Sequence, residues 1–513
     1  MVTVTPTTQT IPTTHTTRTT RTVARRRTAA PAALAAMLIT AAGLVAPPAY
    51  AQDEADSRQS AWRFHTEPDL TPPRINTVTQ ANGTAPGEIF LAPLPKQDAA
   101  GQPGKLIVDD RGDPVWFAPN EPGVATQDFK MQTYRGDPVL TYWEGNVVAP
   151  PGYGEGEAVI MDSSYREIAR LQLGGGLQAD LHDVVLTERG TALLLGYEKV
   201  ARDLTPVGGP ADGSVFEGVV QEVDIDSGEV LFEWRSLADV GLDESFLPLP
   251  EDPSSTWDYF HVNSVQEDGN DGLLISARNT HAVYRLDKNT GKVDWRLGGK
   301  RSDFRMGEGT TFEWAHDARR RPNGTITLFD NGAPPKDRSR AITLDVDENA
   351  GTASLAGSLE RPKAALSPNM GNYQAMPGGK AFVGWGGSSG YTEYHADGSV
   401  ALDAEIADGM NSYRSFRKEW TGTPTDDPEV AGVVGQDGPT GVYASWNGAT
   451  EVASWRFLAG DDRGSLEPAG EVPRTGFETK LDLPADADPA YVAVEALDSD
   501  GRVLGRSPAE PVE

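Results

Sequence analysis

Three histidines of this 513-residue chain share one local setting, and they are the first candidates for chemistry. His182, His261 and His316 each open a short segment with the alternating apolar pattern of a β-strand. The chain has seven histidines, so three in equivalent positions are a large share. Neutral imidazole is nucleophilic near neutral pH and is also a common metal ligand. The pattern therefore predicts one shared pocket, with His316 as its most important member.

A fourth candidate, Arg278, lies on the strand that follows His261. Its guanidinium offers a planar fork of donors that matches sulfate, phosphate or carboxylate. Three imidazoles and an arginine predict a site for an oxyanion. Three histidines could instead bind zinc, copper or iron. The adjacent guanidinium disfavours a metal cation, so neither a metal nor another cofactor is predicted.

Several aromatic residues and one amide are candidates for contact with a substrate. Trp314, Tyr142 and Trp143 could form a wall against an aryl ring, but residues of this type also pack propeller cores, and both interpretations stay open. Asn263, two residues after His261, is assigned to substrate binding.

Other polar residues near these segments are assigned structural roles. His281 and His395 lie on different strands from the three histidines. Asp183 and Asp317 directly follow their histidines, so on a strand they face the opposite way. We expect these two carboxylates to stabilise the sheets by hydrogen bonds.

The segments that carry these residues are short strands, because helical periodicity is nearly absent and Gly, Asp, Asn and Pro turns recur. Hairpins occur at residues 105–117, 219–234, 282–295 and 391–402, and strand pairs that begin at the histidines precede several hairpins. Two hairpins make a four-stranded sheet. The recurrence predicts an all-β fold with a six-bladed β-propeller over residues 60–415. A stack of β-sandwiches is the alternative, but it leaves the equivalent histidine positions unexplained.

The C-terminal part of the chain shows a different pattern. Residues 416–430 include a polar, proline-rich stretch that indicates a linker. Residues 431–513 contain alternating strands without a histidine or an obvious catalytic cluster. They predict a small immunoglobulin-like or fibronectin-like β-sandwich.

The composition and the N-terminal segment indicate which partners the protein can bind and in which compartment it lies. The net charge of −30 argues against binding to nucleic acid or anionic membranes, and the absence of cysteine excludes disulfides and thiolate sites. Arg25–Arg27, an apolar run and Ala49-Tyr50-Ala51 indicate a signal peptide over residues 1–51. The sequence therefore predicts a secreted protein, exported by the Sec route rather than the twin-arginine route, with no membrane span in the mature chain.

Three motifs, in order, resemble the bacterial arylsulfate sulfotransferase family. They are residues 259–265 (YFHVNSV), 275–283 (ISARNTHAV) and 314–319 (WAHDAR), with further matches at 68–73 and 83–91. The similarity covers roughly Phe64 to Ile406. The chain resembles a branch that lacks the N-terminal sandwich domain.

The resemblance implies a β-propeller that transfers a sulfuryl group from a phenolic sulfate to a phenol. The donor is not phosphoadenosine phosphosulfate, and the transfer passes through a sulfohistidine in a ping-pong cycle. By motif, His316 would be the nucleophile. Arg278 and His261 would hold the sulfuryl oxygens and the leaving oxygen, and His182 would complete the cradle. The implied partners are a phenolic sulfate donor and a phenol acceptor.

Two other functions remain open from the residues. One is a non-catalytic exported propeller that binds a partner or a cell-surface glycan. The other is a metal- or quinone-dependent oxidoreductase.

Overall fold

The computed structural model describes residues 61–95, 99–435 and 439–513. The signal peptide predicted over residues 1–51 lies outside them. The described residues form β-strands joined by loops and short 3-10 turns; the turns are Thr205–Val207, Ser236–Ala238, Leu242–Glu244, Pro377–Gly379, Gly386–Ser388 and Ala407–Gly409. None of the helices in these described ranges is long and apolar enough to cross a membrane.

The strands follow one another in short steps along the chain. The first twelve are β1 (Ile75–Thr79), β2 (Glu88–Leu94), β3 (Gly104–Val108), β4 (Pro114–Pro119), β5 (Ala125–Tyr134), β6 (Asp137–Val148), β7 (Tyr153–Met161), β8 (Glu167–Leu171), β9 (Val184–Leu186), β10 (Thr191–Arg202), β11 (Gly213–Asp224) and β12 (Val230–Arg235). The next fourteen are β13 (Val262–Asp268), β14 (Gly272–Ala277), β15 (Ala282–Asp287), β16 (Lys292–Gly298), β17 (Arg305–Met306), β18 (His316–Arg320), β19 (Ile326–Asp330), β20 (Arg340–Asp347), β21 (Thr352–Glu360), β22 (Asn372–Ala375), β23 (Ala381–Gly384), β24 (Tyr391–Tyr394), β25 (Val400–Ile406) and β26 (Asn411–Lys418). The last eight are β27 (Glu429–Val433), β28 (Gly441–Ser445), β29 (Ser454–Gly460), β30 (Glu467–Pro473), β31 (Glu478–Asp482), β32 (Tyr491–Leu497), β33 (Val503–Arg506) and β34 (Glu510–Pro511).

Among the described residues, six sheets share one plan, four strands in an antiparallel meander. Sheet A has the order β26-β2-β3-β4, and sheets B, C and D are β5–β8, β9–β12 and β13–β16. Sheet E is β18–β21, with β17 added parallel to β21, and sheet F is β22–β25, with β1 added antiparallel to β25. Two further sheets follow, sheet G (β27, β28 and β31) and sheet H (β29, β30 and β32–β34).

Sheets A to F contact one another in chain order, and β22 and β23 of sheet F contact β26 of sheet A. Each interface between neighbouring sheets holds its own hydrophobic cluster. Between sheets C and D, for example, Leu193 and Val220 pack with Ile275 and Tyr284. Burial of apolar surface between the sheets drives this packing. The chain is therefore all-β and propeller-like.

Polar turn residues close the predicted hairpins. In the β11–β12 turn, the Asp224 carboxylate accepts hydrogen bonds from the amide and the hydroxyl of Ser227, at 2.9 and 2.7 Å. Gly228 then adopts a φ of 72°, which glycine reaches without steric cost. In the β15–β16 turn, Asp287 accepts from the amides of Asn289 and Thr290 in the same way. These local bonds explain why the hairpin positions could be predicted from the sequence.

The C-terminal boundaries differ from the predicted ones. The strand β26 extends to Lys418, three residues past the predicted end of the propeller, because it pairs with β2 in a register that joins Lys418 to Glu88. The connection to β27 spans residues 419–428 and is shorter than the predicted linker of 416–430. The strands predicted after residue 440 are present in sheets G and H.

Candidate functional site

The three histidines lie at the starts of the first strands of three consecutive sheets. His182 is two residues before β9, His261 is one residue before β13, and His316 is the first residue of β18. They are 3%, 4% and 2% exposed. The ring centroids of His182 and His261 are 4.9 Å apart. The Tyr413 ring lies 5.5 Å from His182 and 6.2 Å from His316, so the structure gathers all three histidines.

The turns that present these side chains carry unusual backbone conformations. His261 and Trp314 both have a φ of 57°, a region that residues other than glycine rarely adopt. Conformations of this kind are costly and cluster at functional sites.

Hydrogen bonds fix the tautomer of His316. Its Nδ1 faces the Asn331 side-chain oxygen at 2.7 Å and the Trp314 carbonyl oxygen at 3.1 Å. The Asn331 amide nitrogen donates to the carbonyls of Ser367 and Met370, which fixes the direction of its oxygen. Because both groups facing Nδ1 are acceptors, Nδ1 carries the proton and Nε2 carries the lone pair. Nε2 has no hydrogen-bond partner among the described residues.

The surroundings also keep the His316 ring neutral. Burial lowers the pKa of His316 well below its usual value, and the charge of Arg278 lowers it further. The hydrogen bond to Asn331 opposes this shift without reversing it. Desolvation disfavours the charged form of an imidazole. His316 is thus a neutral imidazole with a free lone pair, the form that a nucleophile requires.

His261 is oriented by a carboxylate. Its Nδ1 donates to Asp258 Oδ2 at 2.5 Å, and the Asn279 side chain donates to the same oxygen at 3.2 Å. Burial lowers the pKa of His261, with smaller contributions from His182 and Arg278, and Asp258 opposes this shift without reversing it. His261 is therefore neutral in the free protein, with Nε2 available as a proton acceptor.

His182 has a similar partner. Its Nδ1 donates to Asp180 Oδ1 at 2.5 Å, and its backbone amide donates to the same oxygen at 3.0 Å. Asp180 in turn accepts from the backbone amide of Gly154 on sheet B. The ring of His182 is thereby held with Nε2 turned away from the carboxylate.

Arg278 directly follows β14 and supplies the positive charge of the site. Its guanidinium donates to Asn279 Oδ1 at 2.9 Å and to the Pro368 carbonyl at 3.2 Å, and its central carbon lies 4.7 Å from the Trp314 ring centroid. No carboxylate in the described part of the chain forms an ion pair with it. A cation without a carboxylate partner beside neutral imidazoles can hold an oxyanion, and binding of an oxyanion here stays a prediction.

Two further predicted site residues, Trp314 and Asn263, differ in burial. Trp314 is half-buried beside Arg278. Asn263 is fully buried, where its amide donates to the Ala315 carbonyl at 2.7 Å and its oxygen accepts from the Ser276 hydroxyl. The bond to Ala315 joins sheet D to the start of sheet E, and the bond from Ser276 lies within sheet D, so the amide of Asn263 acts in the packing of the site.

Tyr142 and Trp143 lie elsewhere, in the hydrophobic core. Tyr142 packs in the cluster between sheets A and B, and Trp143 packs between sheets B and C. The indole of Trp143 donates to the Ala179 carbonyl at 2.8 Å. Of the two interpretations that the sequence left open for these residues, their positions agree with core packing, because their rings fill the interfaces between sheets.

The carboxylates after two of the histidines join neighbouring sheets, as expected. Asp183 accepts from the backbone amide of Val265 at 3.0 Å, and Asp317 accepts from that of Tyr373 at 2.9 Å. Each bond ties the first strand of one sheet to that of another and so holds the histidine turn in place.

The sequence alone did not reveal four contributors to the site: Asp180, Asp258, Asn331 and Tyr413. The first two lie two and three residues before their histidines, so a carboxylate close to each histidine was the available signal. Asn331 is the first residue after β19, and the pairing of His316 with Phe329 brings Asn331 near His316. Tyr413 lies on β26, far along the chain from the histidines. In the described ranges, no group of three or more His, Asp or Glu side chains is arranged to hold a metal ion.

The chain is thus a propeller-like protein in which three buried histidines and an arginine without a carboxylate partner are gathered in one place. The family model described as "Arylsulfotransferase (ASST)" matches residues 130–407, which include every histidine and the arginine of the site. The chain belongs to this arylsulfotransferase family. No curated protein matches the chain.

Similarity to solved structures is weak. A protein of unknown function from Bacteroides caccae is 12% identical, with a TM-score of 0.40, over 65% of this chain and 100% of that one. A catalytically inactive virginiamycin B lyase from Staphylococcus aureus, solved with quinupristin, is 8% identical, with a TM-score of 0.34, over 73% and 96%. The Dos1 propeller is 14% identical, with a TM-score of 0.29, over 64% and 71%. TM-scores this low do not indicate a function.

Proposed function

We propose that this protein transfers a sulfuryl group from an aryl sulfate to a phenol by a ping-pong mechanism, without phosphoadenosine phosphosulfate. Family membership supports sulfuryl transfer in general. The observation that carries the specific proposal is a neutral His316 with Nδ1 protonated and Nε2 free, next to Arg278 without a carboxylate partner. A nucleophile and an anion-binding cation are the two groups that such a transfer requires.

In the first half-reaction, Nε2 of His316 attacks the sulfur of the donor. The N–S bond forms as the bond from sulfur to the aryl oxygen breaks, and the aryl oxide leaves with the electron pair. Arg278 faces the sulfuryl oxygens and stabilises their charge. The product is a sulfohistidine whose Nδ1 proton remains on the hydrogen bond to Asn331.

In the second half-reaction, the acceptor phenol occupies the position that the first phenol has left. Nε2 of His261 removes its hydroxyl proton, and the resulting imidazolium is stabilised by Asp258. The phenol oxygen attacks sulfur, the N–S bond breaks, and neutral His316 is restored. The proton on His261 then passes to solvent, which restores neutral His261 and closes the cycle. His182, held by Asp180, provides a further nitrogen toward the sulfuryl group.

The proposal includes the finer architecture and the compartment. Sheets A to F are the blades of a closed six-bladed propeller, and sheets G and H form a C-terminal sandwich. The contacts in chain order and the return of sheet F to β26 support the closed ring. The signal-like N-terminal sequence supports export and secretion.

Turnover of p-nitrophenyl sulfate with phenol as acceptor tests the function. We expect sulfate transfer by the wild-type protein and loss of at least about a thousandfold in His316→Asn, because no other described group replaces the nucleophile. His395→Asn is the matched control, since His395 lies on the β24–β25 hairpin away from the site. A folded wild-type protein that transfers no sulfate from a range of phenolic sulfates would contradict the proposal.

Mass spectrometry tests the intermediate. Protein quenched after exposure to donor alone should carry one sulfuryl group, located on the peptide with His316. Addition of phenol before the quench should remove it. A label on His261, or no label, would disprove the assignment of the nucleophile.

A further inference from the structure

A cavity of about 470 Å³ lies where sheets A and F meet, away from the histidines. Strand β26 leads from one place to the other. Tyr413, near the start of β26, contacts His182 and His316, and Lys418, the last residue of β26, lines the cavity. At the usual rise of a β-strand, the five residues from Tyr413 to Lys418 span roughly 17 Å. The cavity is therefore separate from the histidine site.

The lining of this cavity combines apolar side chains with ammonium groups. Met376 and Pro377, in the turn between β22 and β23, supply apolar surface. Lys380 and Lys418 supply the ammonium groups. The Lys380 ammonium donates to the Gly83 carbonyl, and no carboxylate in the described part of the chain forms an ion pair with it. Apolar walls with a few polar groups are typical of a site for a small molecule.

Lys418 is a half-buried cation without a protein partner. Among the residues that the structure describes, no group accepts a hydrogen bond from its ammonium or pairs with it. Burial lowers the pKa of Lys418, and the nearby charges of Lys130 and Arg321 lower it further. Arg321 also lacks a carboxylate partner, because its guanidinium donates to the Thr327 hydroxyl and the Tyr373 carbonyl. Neighbouring cations without a counter-ion raise the free energy, and a bound anion would lower it.

Two other charged side chains line the cavity without supplying free positive charge. The Arg417 guanidinium pairs with Glu393 at 2.7 Å and with Asp110 at 2.5 Å. The Glu419 side chain is exposed, so water screens its negative charge. The whole chain has a net charge of −30, so an anion binds only where local cations attract it. Lys418 supplies such a cation here.

We propose that the cavity binds a small organic monocarboxylate, whose carboxylate contacts Lys418 and Lys380 and whose apolar part packs on Met376 and Pro377. A carboxylate and an ammonium form charge-assisted hydrogen bonds, which are roughly twice as strong as neutral ones. Glu419 at the rim opposes a second negative charge, which favours a monocarboxylate over a dianionic phosphate. The inference does not rest on the proposed function, because the ligand and the histidines lie at opposite ends of β26.

Calorimetric titration of the full chain with hexanoate, acetate and hexan-1-ol tests this site. We expect hexanoate to bind at least about tenfold more tightly than acetate, because its chain reaches the apolar wall. Hexan-1-ol, which lacks the charge, should bind more weakly than hexanoate by a similar factor. Lys418→Met should lower the hexanoate affinity by about tenfold, the effect of one lost charge-assisted hydrogen bond. Lys418→Arg, which keeps the charge, should retain most of the affinity.

Lys380→Met provides a second variant in a surface turn and should also weaken hexanoate binding. Lys292→Met is the matched control, because Lys292 on β16 is exposed and pairs with Asp239 at 3.2 Å. It should leave the hexanoate affinity unchanged. Arg278→Met shows whether hexanoate binds at the histidine site instead, and it should also leave the affinity within about twofold of the wild type.

Three results would overturn the proposal. They are no binding of hexanoate by the wild-type protein, an unchanged affinity in both Lys418→Met and Lys380→Met, and a loss of affinity in Arg278→Met alone. Turnover of p-nitrophenyl sulfate, measured with and without hexanoate, keeps the two proposals apart. A protein that transfers sulfate but does not bind hexanoate loses this cavity site only, and one that binds hexanoate but transfers no sulfate loses the proposed function only.

Discussion

At the scale of single residues, Asn331 decides which nitrogen of His316 can attack. Its oxygen accepts the Nδ1 proton at 2.7 Å, and its amide nitrogen is engaged by two carbonyls. In Asn331→Ala, only the Trp314 carbonyl at 3.1 Å remains to favour this tautomer. We expect kcat/KM for p-nitrophenyl sulfate to fall by about tenfold, the rate equivalent of one lost hydrogen bond.

Asn323→Ala is the control for Asn331→Ala. Asn323 accepts from the amide and hydroxyl of Thr325 within its own hairpin turn. Its loss should leave kcat/KM within about twofold of the wild type. Thermal unfolding of both variants shows whether they remain folded at the assay temperature. A folded Asn331→Ala protein with wild-type kcat/KM would contradict the role of Asn331 in positioning the imidazole.

The direction of the histidine pKa shifts predicts the acid side of the activity profile. An ordinary histidine has a pKa of about 6.5, so about a quarter of it is neutral at pH 6.0. Burial lowers the pKa of His316 and of His261 in the folded protein. Both rings therefore stay neutral as the pH falls through 6.5 and become protonated only at lower pH. We expect kcat/KM at pH 6.0 to keep at least about half of its value at pH 7.0.

This profile is measured by stopping p-nitrophenyl sulfate reactions at a fixed alkaline pH, so that the absorbance of the product does not vary. Circular dichroism at each pH separates protonation from unfolding. If half of the activity is lost near pH 6.5 while the fold stays intact, the pKa of the essential histidine is not lowered.

The residues of the site differ in how far the sequence could predict them. His182, His261, Arg278 and His316 are found by residue type and by their repeated place before or after a strand. Asn331 is fifteen residues from His316 in the chain, and its contact depends on the β18–β19 register, which has an irregularity between His316 and Arg319. That irregularity cannot be deduced from alternation alone.

At the scale of elements, buried ion pairs join the strands that carry the site. Arg414 on β26 is fully buried and bonds Asp183 at 2.8 Å and Asp128 on β5 at 3.0 Å. Arg319 on β18 bonds Asp183 at 2.7 Å. Burial raises the pKa of Asp183, but the charges of Arg319, Arg414 and Lys130 outweigh it and hold the pKa well below its usual range. Asp183 is thus ionised, and its partners hold four sheets together.

Removal of one partner from this network should be strongly destabilising. In Arg414→Met, two buried carboxylates lose a shared cation, and a broken buried pair typically costs about 3–5 kcal/mol of the free energy of unfolding. Urea unfolding measures the change. Arg456→Met is the control, because Arg456 is about one-third exposed and pairs with Glu495 on sheet H. An ion pair this exposed typically contributes about 1 kcal/mol or less to the free energy of unfolding. Equal effects of the two substitutions would contradict the network.

The elements themselves were predicted well where local turns define them. The Asp and Gly residues of the β11–β12 and β15–β16 turns fix those hairpins within a few residues. The strand β26 was missed as the first strand of sheet A, because its partner β2 lies more than 300 residues earlier in the chain. No local signal in the sequence indicates such a pairing.

At the scale of the whole molecule, the C-terminal sheets are attached to sheets A and B away from the histidines. Asn447 accepts from the backbone amide of Phe117 on β4 at 3.0 Å and donates to the Phe117 carbonyl at 2.8 Å. The Tyr165 hydroxyl donates to the Gly448 carbonyl at 2.8 Å, and Trp116 stacks on Tyr165. The Asn447 side chain therefore makes the pair of hydrogen bonds that a neighbouring strand would make at the outer edge of sheet A. This protects an exposed edge.

This geometry predicts that attachment and catalysis are separable. In Asn447→Ala, both hydrogen bonds to Phe117 are lost, at a net cost of roughly 1–3 kcal/mol. Hydrogen exchange of the peptide that contains β4 should therefore become faster. Activity with p-nitrophenyl sulfate should stay within about twofold of the wild type, because the three histidines and Arg278 belong to sheets C, D and E. The same exchange experiment on a peptide from β14 serves as the internal control and should not change. A large loss of activity with normal exchange at β14 would show instead that the C-terminal sheets contribute to the reaction.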